Sequence, residues 1–218
     1  MLRLAAVLAT WLLLLPWNAF AVDDMTLLQA AAINDVAAVQ SLIAQDADLE
    51  ARDSDGRTAL LLATRANAIV AAKALIDAGA DVNAKDDIKD TPYLFAGAEG
   101  RLEILRMTLA AGADLKDTNR YGGTALIPAA EKGYPDNVRA LLKAGVAVDH
   151  VNDLGWTALL EAIVLSDGGT VHQEIVRDLI AGGANVNIAD SDGVSPLTHA
   201  KARGYGEIAA LLEAAGAH

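Results

Sequence analysis

The sequence has 218 residues, of which 53% are hydrophobic, 21% are charged and only 4% are aromatic. Its formal net charge is −12, and an acidic surface repels phosphates and anionic lipid headgroups, which argues against nucleic-acid and membrane-surface partners. It has no cysteine, which excludes disulfides, thiolate metal sites and cysteine nucleophiles.

The first 21 residues have the pattern of a secretory signal peptide. Arg3 supplies a basic start, residues 4–17 form an almost wholly apolar run, and Ala19-Phe20-Ala21 places small residues at a cleavage site. The apolar run is shorter than the ~20 residues of a membrane-spanning helix. We therefore predict cleavage after Ala21, a periplasmic or secreted location, and no membrane insertion once the signal is removed. A retained anchor is the alternative.

The rest of the chain repeats itself with a period of 33 residues. A Thr or Ser at the start of a helix can cap it by accepting a backbone N–H bond, and a closing glycine supplies the left-handed conformation that ends the next helix. The capping residues recur at Thr58, Thr91, Thr124, Thr157 and Ser195, and the closing glycines at Gly79, Gly112, Gly145, Gly183 and Gly216. This periodicity predicts a series of helix pairs.

Six such units are predicted in chain order, with the first and the last as caps of the stack. In the first unit Asp46 replaces the closing glycine, and the last unit stops after its second helix. One helix pair cannot bury its own apolar face, but a stack of pairs can. The units span about 22–53, 54–86, 87–119, 120–152, 153–190 and 191–218.

Five units carry a degenerate D-x-x-G-x-T-P-L motif, as in residues 190–197. This motif resembles the ankyrin repeat, and the resemblance covers nearly everything after residue 25. It implies an all-α solenoid of about six helix–turn–helix units joined by β-hairpin-like fingers. It also implies protein recognition by the finger tips and inner helices, since the family has no shared catalytic centre.

The sequence departs from the family pattern at three places. Lys89 stands where the other finger turns have glycine, so it either adopts an uncommon positive φ or remodels the turn. Five extra residues, 166–170, are placed by symmetry at the bend between two helices, where either a functional loop or a neutral insertion fits. The family's inter-repeat histidine is replaced, so packing is expected to take over its role, at Leu61, Leu94, Ile127, Leu160 and Thr198.

The candidate protein-binding residues lie at the finger tips, at Arg57, Asp90, Tyr121 and Trp156. Tyr121 and Trp156 are predicted to form an aromatic pair on adjacent fingers, flanked by Arg57 and Asp90. Aromatic and arginine side chains dominate binding hot spots. The alternative is that Trp156 only packs against its neighbour.

No catalytic residue, cofactor or metal site is predicted, because the four histidines are far apart in sequence and are expected at the surface. The sequence therefore predicts a monomeric, non-enzymatic, exported module that binds, protects or inhibits a partner protein, as an accessory or immunity protein would. Two alternatives stay open: a small-ligand or hydrolytic activity in the groove of the solenoid, and a structural component of the cell envelope.

Overall fold

The computed structural model describes residues 25–218, so the predicted signal peptide lies outside the described residues. Over this range the chain forms twelve α-helices and no strand, which confirms the all-α class. The helices are α1 Leu27–Ala32, α2 Val36–Ala44, α3 Ala59–Arg65, α4 Ile69–Asp77, α5 Pro92–Ala98, α6 Leu102–Ala110, α7 Leu126–Glu131, α8 Pro135–Ala144, α9 Ala158–Val164, α10 Thr170–Ala181, α11 Pro196–Ala202 and α12 Gly206–Ala214.

The twelve helices form six pairs stacked in two layers. The first helices of successive pairs pack on one another from α1 to α11, and the second helices do the same from α2 to α12. Alanine recurs in the middle of the first helices, where a small side chain lets neighbouring helices approach closely. All of these alanines are fully buried: Ala30, Ala63, Ala96, Ala129, Ala162 and Ala200.

The predicted helix caps are present in every unit except one. Thr58, Thr91, Thr157 and Ser195 each accept the backbone N–H three residues later. The capping prediction is wrong for Thr124. Pro128 has no N–H to donate to the carbonyl of residue 124, so Ile127 N donates to that carbonyl instead, at 3.2 Å, and α7 begins only at Leu126.

The fingers are tight turns. In each one the backbone N–H of the first motif residue donates to the carbonyl four residues later, as from Asp53 to Arg57 at 3.1 Å and from Asp86 to Asp90 at 2.9 Å. Lys89 has a φ of 67°, so it adopts the left-handed conformation. Its turn therefore has the same conformation as the glycine-containing turns. Neighbouring fingers are also joined, for example by Asp153 N, which donates to Tyr121 O at 3.0 Å.

Of the predicted extra residues 166–170, the first four lie at the bend between α9 and α10, and Thr170 begins α10. This bend has five residues, 165–169, where the other pairs have three, and α10 is longer than the other second helices. The Tyr205 hydroxyl donates to Ser166 O at 2.7 Å, and Gln173 Nε2 donates to Gly168 O at 2.9 Å. The insertion is therefore bonded into the last two repeats.

Polar bonds supplement packing between the repeats. Asn137 on α8 is buried and donates to the carbonyls of Ala96 and Gly97 at 3.0 and 3.1 Å. His172 Nε2 lies 2.9 Å from Glu131 O, across to the preceding unit. Packing at the former histidine positions is therefore supplemented by hydrogen bonds that other residues make between repeats. The side chains of His172 and His199 are also largely buried, which corrects the expectation that every histidine lies at the surface.

Candidate functional site

A groove of about 500 Å³ lies where the fingers meet the first helices of the middle repeats. We refer to this feature as the groove. The α5, α7 and α9 helices contribute residues spaced three or four apart, which therefore share one helix face. The residues that line the groove include Arg65, Ile88, Asp90, Phe95, Glu99, Arg120, Tyr121, Glu131, Lys132, Asn152, Leu154, Glu161 and Leu165.

Glu161 is the most buried carboxyl group of the groove, with 5% of the residue exposed. Its Oε1 accepts a hydrogen bond from Asn152 Nδ2 at 2.7 Å. Burial is the largest cause that raises its pKa, to about 7; the nearby Glu131 carboxylate raises it further, and the Asn152 hydrogen bond opposes both. Glu161 is therefore partly protonated near neutral pH.

Asn152 is held in place by its own finger. Its Oδ1 accepts the backbone N–H groups of Leu154 and Trp156, each at 3.0 Å, so its Nδ2 is left to face Glu161. The corresponding residues of the last repeat, Asp190 and His199, are also in contact, with Oδ2 2.6 Å from Nε2. This hydrogen bond lowers the pKa of Asp190. The last repeat therefore has a side-chain contact between finger and first helix at the same position, made by an aspartate and a histidine.

The basic side chains of the groove lie close to carboxylates. Asp90 is 3.7 Å from Arg65 and 4.0 Å from Arg120, and Lys132 is 2.6 Å from Glu99. Burial raises the pKa of Asp90, Asp86 raises it further, and the two arginines oppose the rise. The two arginines also lie over aromatic rings, Arg65 at 4.7 Å from the centroid of Phe95 and Arg120 at 4.8 Å from that of Tyr121.

Large apolar side chains are exposed around the rim of the groove. Among residues 25–218, nine large hydrophobic residues are exposed, and four of them line the groove: Ile88, Tyr121, Leu154 and Leu165. Exposed apolar side chains gathered in one place and bordered by polar groups mark interaction surfaces. The rim therefore supplies apolar contact area, and we refer to Glu161 and Glu131, which are less exposed than the rim, as the floor of the groove.

Of the four predicted site residues, Asp90 and Tyr121 line the groove and Arg57 and Trp156 lie outside its lining. Arg57 pairs within its own finger, with Asp53 at 2.8 Å and Asp55 at 2.5 Å. Trp156 is partly buried, and the stacking contact of Tyr121 is with Arg120. A binding role for these four residues stays a prediction.

Sequence reasoning missed the floor of the groove. The signal that could have found Glu161 is its position four residues after the capping Thr157, where the other middle repeats have Leu62, Phe95 and Pro128. A carboxylate at a position that is otherwise apolar indicates a polar partner or a ligand. Within residues 25–218, no group of three or more histidine, aspartate or glutamate side chains is placed to hold a metal ion.

A stack of helix pairs with projecting fingers and a groove between fingers and first helices defines a repeat scaffold of the protein-interaction class. A family model described as ankyrin repeats (3 copies) matches residues 6–86 and 93–190. The chain therefore belongs to the ankyrin-repeat family. The first matched segment begins within the residues predicted as a signal peptide. None of the helices in residues 25–218 has the length and apolar character needed to cross a membrane.

Solved structures agree with this assignment. An ankyrin repeat domain from Acinetobacter baumannii AYE is 60% identical, with 88% of this chain and 98% of that chain covered and a TM-score of 0.86. The ankyrin repeat protein EF0377 is 45% identical, covering 86% and 96%, with a TM-score of 0.83. The ankyrin repeat domain of Bcl-3, a member of the IkappaB protein family, is 27% identical, covering 89% and 87%, with a TM-score of 0.80.

A curated relative matches over a shorter stretch. The putative ankyrin repeat protein YahD of Escherichia coli (strain K12) is 53% identical over 57 residues, which is 26% of this chain. The chain spans 28% of the length of that relative.

Proposed function

We propose that this protein is exported and that its groove binds a partner protein. The chain then protects, escorts or inhibits that partner, as an accessory or immunity protein would. Membership of the ankyrin-repeat family supports a protein–protein interaction module, since the fold generally acts as a non-catalytic scaffold. The expected unit is the monomer.

The observation that carries the proposal is the composition of the groove. Half-exposed apolar side chains, including Tyr121 and Leu154, line the groove together with charged groups, among which the Glu161 carboxyl group is the most buried. Binding hot spots combine apolar or aromatic anchors with buried polar contacts in this way. The groove spans four repeats, so an extended segment of a partner can lie across several fingers.

The test is a pull-down from periplasmic extract of the source organism with the mature chain, residues 22–218. Tyr121→Ala/Leu154→Ala removes two rim side chains. Ile69→Ala/Val70→Ala is the matched control, because both residues are exposed large hydrophobics that lie outside the groove. We expect one retained protein that is lost with the rim variant and kept with the control.

Two other outcomes would redirect the assignment. Loss of the partner with the control variant but not with the rim variant would move the binding surface to the second-helix layer. If the folded native chain retained no protein, a small ligand in the groove would become the better candidate function.

Export is tested on the protein itself. The intact mass of the chain purified from the periplasmic fraction should match a first residue of Val22. A full-length mass, or recovery in the cytoplasmic fraction alone, would contradict the proposed export and cleavage.

A further inference from the structure

The basic side chains of the groove lie within ion-pair distance of carboxylates, whereas two of its carboxyl groups have no basic side chain of residues 25–218 at that distance. Arg65 and Arg120 flank Asp90, and Lys132 pairs with Glu99. Within the described part of the chain, Glu131 and Glu161 form no ion pair with a basic side chain, although both line the groove. The groove therefore has charge left to offer a cation.

Glu161 is the better placed of these two carboxyl groups. It is more than nine-tenths buried, and Asn152 bonds to one of its oxygens only; the other accepts no hydrogen bond from residues 25–218. Burial and the like charge of Glu131 both disfavour its ionised form. A cation bound between Glu161 and Glu131 would relieve both effects at once.

The apolar residues around the two carboxyl groups indicate that the cation belongs to a protein side chain and is not a metal ion. The exposed apolar residues Ile88, Tyr121 and Leu154 border the same groove. An isolated metal ion would use none of this apolar area, whereas a protein segment can place an apolar side chain on the rim and a basic one on the floor. The whole chain is also acidic, with a net charge of −12, which attracts basic partners at long range.

We infer that the groove takes a partner segment in which a lysine or arginine side chain stands next to an apolar one. Glu161 and Glu131 hold the cation, and the rim residues Ile88, Tyr121 and Leu154 pack against the apolar side chain. This inference rests on the proposed function and adds the chemistry of the partner. An acidic segment held by Arg65 and Arg120 is the competing arrangement.

The test is selection from a displayed library of random heptapeptides on the mature chain, 22–218, and on the Glu131→Gln/Glu161→Gln variant. We expect the native chain to enrich peptides with a basic residue beside an apolar one, and the variant to lose the basic preference. Enrichment of acidic residues, no charge preference, or no enrichment of any peptide would overturn the inference. A basic preference that persists in the variant would also overturn it.

An affinity measurement on the most enriched peptide separates charge from folding. Glu161→Gln should weaken binding at least about tenfold, as loss of one partner of a buried charge pair does. Glu207→Gln is the matched control, because it removes the same charge from an exposed residue of α12, and it should change affinity less than about twofold. Equal loss with both variants would show that net charge, not the groove, attracts the peptide.

The pH dependence gives an independent readout. Because the pKa of Glu161 is about 7, affinity for the basic peptide should rise between pH 6 and 8 and stay flat in Glu161→Gln. A fall in affinity over this range would contradict the inference. The other titratable or charged side chains around the site, on the neighbouring fingers and helices, are Arg65, Asp90, Glu99, Arg120, Glu131, Lys132, His172, Asp190 and His199.

The inference and the proposed function can fail separately. If the pull-down retains a partner that is lost with Tyr121→Ala/Leu154→Ala while the library shows no basic preference, the interaction module stands and its partner chemistry is wrong. If neither assay retains anything, both fail.

Discussion

A buried carboxyl group at Glu161 couples stability to pH. Its pKa is raised from an ordinary value of 4.5 to about 7 in the folded chain, so the folded state binds a proton more tightly than the unfolded state. The stability that this proton gives is fully present below pH 4.5. It is lost as the pH rises through 7.

Glu161→Gln should remove this dependence, because an amide does not ionise. Relative to the variant, the native chain should lose about 1–3 kcal/mol of unfolding free energy between pH 4.5 and 8, the lower end applying where water in the groove screens the charge. Urea unfolding at the two pH values measures it, with Glu207→Gln as control. Equal changes in native chain and variant would show that Glu161 titrates normally.

At the scale of one helix, the residues that could be predicted from the sequence are those whose role is local. The capping Thr58, Thr91 and Thr157 act on backbone three residues away, so a single sequence shows them. The floor of the groove could not be predicted this way. Glu161 accepts a hydrogen bond from Asn152, nine residues earlier, and its pKa is raised by the charge of Glu131 in the preceding repeat, so its environment depends on the packing of two repeats.

The two threonines at the starts of α7 and α9 test the role of the caps. Both are 2% exposed, but only Thr157 accepts a helix N–H, at 3.2 Å from Leu160 N. The Thr124 hydroxyl is buried and has no hydrogen-bond partner among residues 25–218. Thr157→Ala should lower stability by about 1 kcal/mol. Thr124→Ala should cost less, because no hydrogen bond is lost. The denaturant midpoints of the two variants measure the difference. Equal losses of stability would mean that the capping hydrogen bond is not the cause of the loss in Thr157→Ala.

Two glycines test whether the inserted bend is part of the fold. Gly168 and Gly204 have φ values of 67° and 74°, so alanine is strained at both. A Cβ at Gly168 would lie 2.5 Å from the Tyr205 ring, whereas at Gly204 it would have no atom of the described residues within 4 Å. Gly204→Ala should cost about 1–2 kcal/mol, and Gly168→Ala roughly 1–3 kcal/mol more. Thermal unfolding measures both, and equal costs would show that the bend yields freely.

Over the whole molecule, the stack converts local periodicity into a surface that no single repeat has. Within residues 25–218, each helix packs mainly against helices of its own and the adjacent repeats, and the groove is assembled from fingers and helices of four repeats. The 33-residue period therefore predicts the solenoid. It predicts the partner surface only in part, because Asp90 and Tyr121 line the groove while Arg57 and Trp156 do not.

The central claim is that a partner protein occupies the groove. Hydrogen exchange of the mature chain, free and bound to its captured partner, tests this most directly. We expect slower exchange at residues 86–90, 119–123 and 152–156, the fingers that line the groove, and no change along α4 and α8. Slowing confined to the second-helix layer, with the groove fingers unchanged, would contradict it.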